Sequence, residues 1–207
     1  MTLYKFLYAC LAWVFRLIYR VHSHGEDVIP GEGACIIAPN HTSALDCIII
    51  AVSAPRQVYF MSKAELFKIP IFAGLIRALG AFPVKRKEGD VGAVKKSIAL
   101  LKDGNALCMF PQGTRCPYVE LESTRDKLKW GVGLISEKSG SDIIPVYIQT
   151  KRNKLKLFRR TDVYYGAPVS PSEFAGFEGR DRHAQASALV FDRICLLKES
   201  AKTEEPK

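Results

Sequence analysis

The sequence predicts an α/β fold, in which helices cover a mixed, largely parallel twisted sheet and a membrane-associating helix precedes that sheet. Three observations predict this class. Short apolar runs typical of buried strands alternate with segments of helical periodicity beyond residue 34. Hydrophobic residues make up 48 % of the 207 positions and charged residues 25 %, which is enough for one core. A separate apolar segment, Leu3 to Val21, precedes the alternation.

The alternation divides the chain into residues 1–24 as an N-terminal interfacial helix, 25–200 as the main domain, and 201–207 as a polar tail that is expected to be frayed. The predicted strands are Ala34–Ala38, Gln57–Met61, Ala81–Lys85, Ala106–Phe110, Ile143–Gln149 and Asp162–Tyr165. The predicted helices of the main domain are Ala44–Val52, Ile71–Leu79, Val91–Leu101, Gly131–Lys138 and Ala184–Glu199.

The net charge of +9 favours an anionic partner. The segment Leu3 to Val21 is rich in aromatic residues and carries Lys5, Arg16 and Arg20, and this charge argues against a spanning helix. It favours an interfacial helix on an anionic membrane surface, with an amphipathic helix docked on the domain as the alternative. Because the aromatic residues concentrate here, no nucleic-acid partner is predicted. No cleavage site follows the segment, so we expect a peripheral protein on the cytoplasmic face of the cell membrane.

A second apolar stretch, Phe67 to Ile76, is interrupted only by single cations. A segment that is apolar nearly all round is either deeply buried or faces lipid. Burial in the core is the favoured interpretation. Lining an acyl-chain groove or dipping into a bilayer surface stays open.

His41 and Asp46 are the first candidate site residues. They lie between a predicted strand end and a predicted helix start, where open α/β sheets place their sites. An offset of five residues turns a regular helix by roughly 500°, so their side chains meet only when His41 lies in the loop. That arrangement suits a general base oriented by a carboxylate. Ser43 as N-cap with Asp46 at the third helical position is also a capping box, and this interpretation of Asp46 stays open.

Two further clusters follow predicted strands. The run Gly80 to Lys87 places three cations at a strand end, among which Arg86 can bind phosphate oxygens bidentately. The next strand runs into Phe-Pro-Gln-Gly-Thr-Arg, where Gly113 permits a turn with positive φ. Thr114 and Arg115 then offer a hydroxyl and a planar cation to an anion. Taken singly, each cluster is also explained by an exposed turn.

Four blocks occur in one order between His41 and Ile148: His-x4-Asp, Gly-x-Phe-Pro-Val-x-Arg, Phe-Pro-Gln-Gly-Thr-Arg and Ile-Ile-Pro-Val-Tyr-Ile. Together they resemble the glycerolipid acyltransferase family, and most closely its short bacterial members that act on 1-acyl-glycerol-3-phosphate. The resemblance covers about half of the 207 residues. It implies that the main domain is an acyltransferase domain.

The resemblance implies transfer of a fatty acyl group from an acyl-CoA or acyl carrier protein thioester to the sn-2 hydroxyl of lysophosphatidic acid, giving phosphatidic acid. It implies that His41 is the general base and that Asp46 orients it, with no acyl-enzyme, no cofactor and no metal. It also implies an acceptor site, with the phosphate bound by Arg86, Arg115, Gly113 and Thr114, and further contacts from Gln112, Lys63 and Lys129.

Gln112 departs from the family's pattern, which normally has Glu at this position of the third block. The two side chains are nearly isosteric, but a neutral amide donates as well as accepts. Gln112 either replaces the carboxylate in binding acceptor hydroxyls or leaves Arg115 freer for phosphate. A different lysolipid acceptor, and a weakened or non-catalytic membrane-bound homologue, are the remaining alternatives.

A hydrolytic acyl-enzyme is the competing chemistry, with Ser43, Cys108 or Cys116 as nucleophile. The chain has no Gly-x-Ser-x-Gly elbow, which disfavours it. The six cysteines are scattered without a Cys-x-x-Cys pair, so no zinc site is predicted.

Overall fold

The computed structural model describes residues 12–69, 73–74, 76–77, 80–84 and 90–204. Within these residues seven strands form one sheet in the order β1-β7-β6-β2-β5-β3-β4, and every neighbouring pair is parallel except β6 with β7. The strands are β1 (Val21–His24), β2 (Cys35–Pro39), β3 (Val58–Lys63), β4 (Ala81–Val84), β5 (Ala106–Cys108), β6 (Asp142–Thr150) and β7 (Thr161–Tyr165).

Helices cover both faces of this sheet, so the predicted mixed, largely parallel α/β fold is confirmed. Residues 12–19, 73–74 and 76–77 are also helical. The helices with fully described bounds are α1 (Asp46–Ser53), α2 (Val91–Lys102), α3 (Gly131–Ser139) and α4 (Arg182–Glu204), and short 3-10 helices lie at Glu26–Val28, Ala64–Lys68, Glu122–Lys127, Lys151–Asn153 and Pro171–Phe174.

Two apolar clusters flank the sheet and explain why its central strands are apolar without alternation. Ile36 and Ile143 pack under α2, α3 and α4, whereas Ile37 and Ile144 pack with α1 on the other face. Successive side chains of a strand point to opposite faces, so a strand buried on both needs an unbroken apolar run.

The N-terminal region differs from the prediction at its end. Residues 1–11, including Lys5, lie outside the described part of the chain, so the interfacial helix is seen only from residue 12. The sequence predicts an interfacial helix over residues 1–24, but the helix ends at residue 19 and Arg20 takes a positive φ of 42°. Val21–His24 then pairs with β7 as an edge strand. This strand mixes Val with His and Ser, so it lacks the apolar run that revealed the others.

The helical residues 12–19 use one face to dock on the domain. Phe15 and Tyr19 pack against the cluster around α1, and Arg16 donates from Nε to the carbonyl oxygen of Val52 at 2.7 Å. Arg16 is therefore committed to the protein, contrary to its expected contact with lipid phosphates. Trp13 stays exposed on the other face. None of the described helices is both long and apolar enough to cross a membrane.

Two other expectations are wrong. The sequence predicts a polar tail from residue 201 that frays from Lys202, but α4 continues to Glu204 and Ala201 is completely buried. The sequence predicts that the stretch Phe67 to Ile76 lies in the core. Ile69 is exposed, however, and Ala73 is the one buried residue among those of the stretch that the structure describes. Residues 70–72 and 75 of this stretch lie outside the described part.

Candidate active site

His41 and Asp46 meet at the carboxyl end of β2. His41 Nδ1 lies 2.9 Å from Asp46 Oδ2, and the same oxygen accepts the amide hydrogens of Thr42 at 2.7 Å and Ser43 at 2.8 Å. A carboxylate only accepts hydrogen bonds, so the proton of the His41–Asp46 bond belongs to Nδ1. The neutral ring then keeps Nε2 as its basic nitrogen, which is the tautomer that a general base requires.

The capping box with Ser43 as N-cap is wrong as predicted, because Leu45 is the N-cap of α1 and makes no side-chain cap bond. Helix α1 begins at Asp46 rather than at Ala44, because the preceding residues form a turn. In that turn Ser43 Oγ accepts the amide hydrogen of Leu45 at 3.2 Å, while Asp46 Oδ2 returns to the amide of Ser43. These contacts brace the turn before the helix, and they fix the carboxylate that binds His41.

Burial strengthens this pair. His41 is 5 % exposed and Asp46 is 1 % exposed, and the Phe110 ring stacks on the imidazole with centroids 3.8 Å apart. A buried carboxylate at a helix N-terminus is favoured by the helix dipole. It also stabilises the imidazolium that forms when the ring takes up a proton.

Gln112 holds the backbone of His41 from the other side. Its Oε1 accepts the amide hydrogen of His41 at 2.8 Å, and its Nε2 donates to Thr124 Oγ1 at 2.9 Å. Thr124 in turn donates to the carbonyl oxygen of Leu121 at 2.7 Å. Gln112 is 1 % exposed, so both ends of its amide serve the protein interior.

Asn40 anchors the residue before the imidazole. Its Oδ1 accepts the amide hydrogen of Ile148 at 2.7 Å, and its Nδ2 donates to the carbonyl oxygen of Ile148 at 3.2 Å. The side chain thus takes the place of a strand residue beside β6, where β2 has ended. His41 is thus fixed at three points: Asn40 anchors the preceding residue, Gln112 binds its backbone amide, and Asp46 binds its ring.

A pocket of about 170 Å³ opens beside His41. Most of its lining is apolar, and His41 and Lys129 are its two nitrogen-bearing side chains. Such a lining suits a ligand with an apolar chain, a reacting group near the imidazole and an anionic group near the ammonium. The other lining residues are Met61, Val84, Cys108, Met109, Phe110, Gly113, Gly131 and Val132.

Gly113 has the expected positive φ, at +64°. A Cβ at this position would lie 2.6 Å from Lys129 Cγ, so the turn also needs glycine for space. The amide of Lys129 donates to the carbonyl oxygen of Pro111 at 2.8 Å. The two segments therefore hold Lys129 against the pocket.

The structure places the other predicted residues at different distances from this centre. Gln112 and Lys63 do not line the pocket; Lys63 is the exposed last residue of β3, paired with Val84 of the pocket wall. Thr114 and Arg115 are exposed, and Arg115 has no hydrogen-bond or ion-pair partner among the described residues. Arg86 lies outside the described residues.

The three candidate nucleophiles lack the geometry of an acyl-enzyme. Burial raises the pKa of the Cys108 thiol well above its ordinary value, so it stays protonated. Cys116 is buried with Sγ donating to the carbonyl oxygen of Thr114, and Ser43 Oγ accepts from a backbone amide. In the described contacts none of these side chains is bonded to the His41 ring.

Sequence reasoning missed Asn40, Phe110 and Thr124 as site residues. Asn40 carried a usable signal, because an amide side chain directly follows a buried strand. The sequence predicts that Phe110 ends a strand, and Thr124 lies in a polar stretch without hydrophobic periodicity. Only the folded chain brings Thr124 to Gln112.

Residues 20–149 match the model of the Acyltransferase family. The chain belongs to the acyltransferase family. Within the matched residues lie His41, Asp46 and the whole pocket lining.

Several relatives share one enzyme name. The chain is 27 % identical to the 1-acyl-sn-glycerol-3-phosphate acyltransferase of Bacillus subtilis, over 93 % of this chain and 95 % of that protein. It is 33 % identical to the enzyme of that name from Streptococcus pneumoniae, over 84 % of this chain and 66 % of that protein. The crystal structure of PlsC, the 1-acyl-sn-glycerophosphate (LPA) acyltransferase of Thermotoga maritima, aligns with a TM-score of 0.72 and 25 % identity, over 99 % of this chain and 83 % of that chain.

Proposed function

We propose that this acyltransferase moves a fatty acyl group from an acyl-CoA or acyl carrier protein thioester to the sn-2 hydroxyl of 1-acyl-glycerol-3-phosphate, giving phosphatidic acid. The observation that carries the proposal is the His41–Asp46 pair, buried and bonded through Nδ1, at an apolar pocket. The shared name of the two bacterial relatives supports lysophosphatidic acid as the acceptor.

In the proposed mechanism His41 acts as the general base. A glycerol hydroxyl is a weak nucleophile near neutral pH, and a positioned base typically accelerates such a step by ~10²–10⁴. Nε2 takes the hydroxyl proton while the oxygen attacks the thioester carbonyl carbon. The new C–O bond forms, the C–S bond breaks, and the proton passes from the imidazolium to the departing thiolate. Asp46 stabilises the imidazolium between these two transfers.

The acceptor phosphate is assigned to cations around the pocket mouth. Lys129 lines the pocket that contains His41. Arg115 follows Gly113 on the same turn and has no partner among the described residues, which leaves its guanidinium available for phosphate oxygens. Arg86 follows Val84 of the pocket wall by two residues in the sequence and is proposed as the third cation.

We propose a peripheral location on the cytoplasmic face of the cell membrane, where both lipid substrate and product reside. Support comes from Trp13 and Leu17, which are exposed on the helical residues 12–19. A water-facing helix gains nothing from such side chains, whereas the membrane interface accommodates them.

An acyl-transfer assay over a grid of donors and acceptors tests the proposal. The purified chain is incubated with acyl-CoA or acyl carrier protein thioesters of several lengths and with lysophosphatidic acid, lysophosphatidylglycerol or a lyso-ornithine lipid. The last acceptor is included because a lyso-ornithine lipid O-acyltransferase of Rhodobacter capsulatus is 37 % identical over 38 % of this chain. The highest kcat/KM is expected for lysophosphatidic acid. A higher value for another acceptor, or no transfer at all, contradicts the assignment.

A further inference from the structure

A second pocket, of about 410 Å³, lies at the sheet edge that carries His41. It forms between the segment after β6 and the segment after β5, which leave the sheet at the carboxyl ends of their strands. Cys116 donates its amide hydrogen to the carbonyl oxygen of His41, and Tyr118, two residues on, lines this pocket. The remaining lining residues are Lys151, Arg152, Lys154, Lys156 and Arg159.

The lining holds five cations and no carboxylate. Arg160 next to it is neutralised by Asp162, whose Oδ2 accepts from Nε at 2.8 Å. Lys154 lies over the Tyr118 ring at 5.2 Å, a contact that leaves its charge in place. None of these five cations has an ion-pair partner in the part of the chain that the structure describes, so their charges repel one another and an anionic partner is favoured.

Apolar side chains are interleaved with these cations. Leu157 is 59 % exposed and Phe158 is 71 % exposed, in a loop that also carries the five cations of the pocket. Phe158 adopts a φ of +58°, which is rare for a bulky residue, and its amide donates to the carbonyl oxygen of Ile18. That bond joins the loop to the helical residues 12–19, where Trp13 is exposed.

The combination distinguishes a bilayer from a soluble anion. Phosphate groups of a soluble ligand need the cations alone and leave Leu157 and Phe158 in water. A bilayer with anionic lipids accepts the apolar side chains among its acyl chains and the cations at its phosphates. The cations and the exposed apolar side chains lie on one loop, and a bilayer can contact both, whereas a soluble anion contacts the cations alone.

We propose that residues 151–159, the basic loop, form together with Trp13 a docking surface for an anionic phospholipid bilayer. The segment from Gly113 to Tyr118 contributes Gly113 to the pocket of His41 and Tyr118 to the basic pocket, so docking brings the pocket of His41 towards the source of lysolipid acceptor. The role of docking in supplying acceptor rests on the proposed function, but vesicle binding is measured without catalysis and can fail independently of it.

Vesicle co-sedimentation of the full chain tests the surface. The double variant Lys151→Glu/Lys156→Glu is compared with Lys95→Glu/Lys102→Glu, which makes the same charge change on exposed positions of α2. Each basic residue near an anionic surface contributes about 1 kcal/mol, so the loop variant is expected to bind phosphatidylglycerol-containing vesicles at least about 30-fold more weakly. The α2 variant is expected to bind within about threefold of the parent.

A second variant separates docking from anion binding. Leu157→Ser/Phe158→Asn removes the apolar groups, and Asn tolerates the positive φ of the second position. Docking predicts weaker binding of this variant to the same vesicles, at low and high salt alike. Parent-like vesicle binding by either loop variant, or an equal loss in the α2 variant, overturns the proposal. If Lys151→Glu/Lys156→Glu loses binding of CoA or acyl carrier protein but keeps vesicle binding, the basic pocket binds the acyl donor, and the docking proposal is likewise overturned.

Discussion

Replacing Gln112 by Leu separates a residue that positions His41 from one that binds the acceptor. Leu has a similar volume but no polar atoms, so the bond from the His41 amide and the bond to Thr124 are both lost. Thr124 keeps its own acceptor, the carbonyl oxygen of Leu121. Of the two groups that Gln112 binds, only the His41 amide is then left as a buried donor without a partner.

The magnitude follows from those contacts. An unsatisfied buried donor costs ~1–3 kcal/mol, and a net hydrogen bond contributes ~0.5–1.5 kcal/mol. The free energy of unfolding of Gln112→Leu is therefore expected to fall by about 1.5–4.5 kcal/mol in urea denaturation. Because Gln112 does not line the pocket, kcat is expected to fall while KM for the acceptor stays within about twofold.

The opposite effect on kcat and KM would refute the positioning role of Gln112. A raised KM for lysophosphatidic acid with kcat unchanged means that Gln112 binds the acceptor, as the sequence alone suggested. An unchanged free energy of unfolding means that its bonds to His41 and Thr124 contribute nothing.

Gln112→Glu is the conservative comparison. Its carboxylate can accept hydrogen bonds from the His41 amide and from the Thr124 hydroxyl, which reorients to donate to it. The carbonyl oxygen of Leu121 then loses the hydroxyl but keeps the amide of Thr124 as a donor, at 3.0 Å. Position 112 is 1 % exposed, and this burial is expected to raise the pKa of the new carboxyl in the folded state above its unfolded value of about 4.3. The variant is thus expected to match the parent below about pH 4 and to lose stability as the pH rises through the folded pKa. Parent-like stability at pH 8 contradicts this.

Two further variants test packing and pH dependence. Gly133→Ala is expected to cost about 1–3 kcal/mol in urea denaturation, because its Cβ would lie 2.6 Å from the carbonyl oxygen of His183 and would push α4 from α3. Gly31→Ala, with nothing within 4 Å, is the control, and equal effects would contradict the packing argument. Burial is the largest single influence and raises the pKa of Asp162, but the hydrogen bonds and positive charges of Arg160 and His24 together outweigh it, so the pKa lies below its ordinary value. This stabilisation is present above the unfolded pKa and is lost on acidification, so Asp162→Asn should narrow the difference between urea midpoints at pH 7 and pH 3; an unchanged difference refutes it.

The fold and the centre of the site could be predicted because each is written in local patterns. Strands buried on both faces need apolar runs, and β2 and β6 have them. His41 and Asp46 stand where a strand ends and a helix begins, so their meeting follows from the two elements that flank them. The positive φ of Gly113 follows from its residue type.

The remaining features depend on contacts between distant segments. The Gln112–Thr124 bond exists because a polar stretch folds under the turn, and nothing in Thr124 itself marks that contact. The edge strand β1 and the buried Ala201 are likewise set by the partners they meet. Ile69 is as apolar as a core residue, and only the fold shows that it faces outward.

The most direct test of the account is the rate of acyl transfer to lysophosphatidic acid by His41→Ala, measured with circular dichroism to verify folding and with Asp46→Asn in parallel. Removal of the base predicts a loss of ~10²–10⁴ in kcat, partly restored by added imidazole, which supplies the missing group. Asp46→Asn is expected to lose rate without rescue by imidazole, because the ring remains in place. Transfer by a folded His41→Ala within tenfold of the parent would contradict the assignment of His41 as the general base.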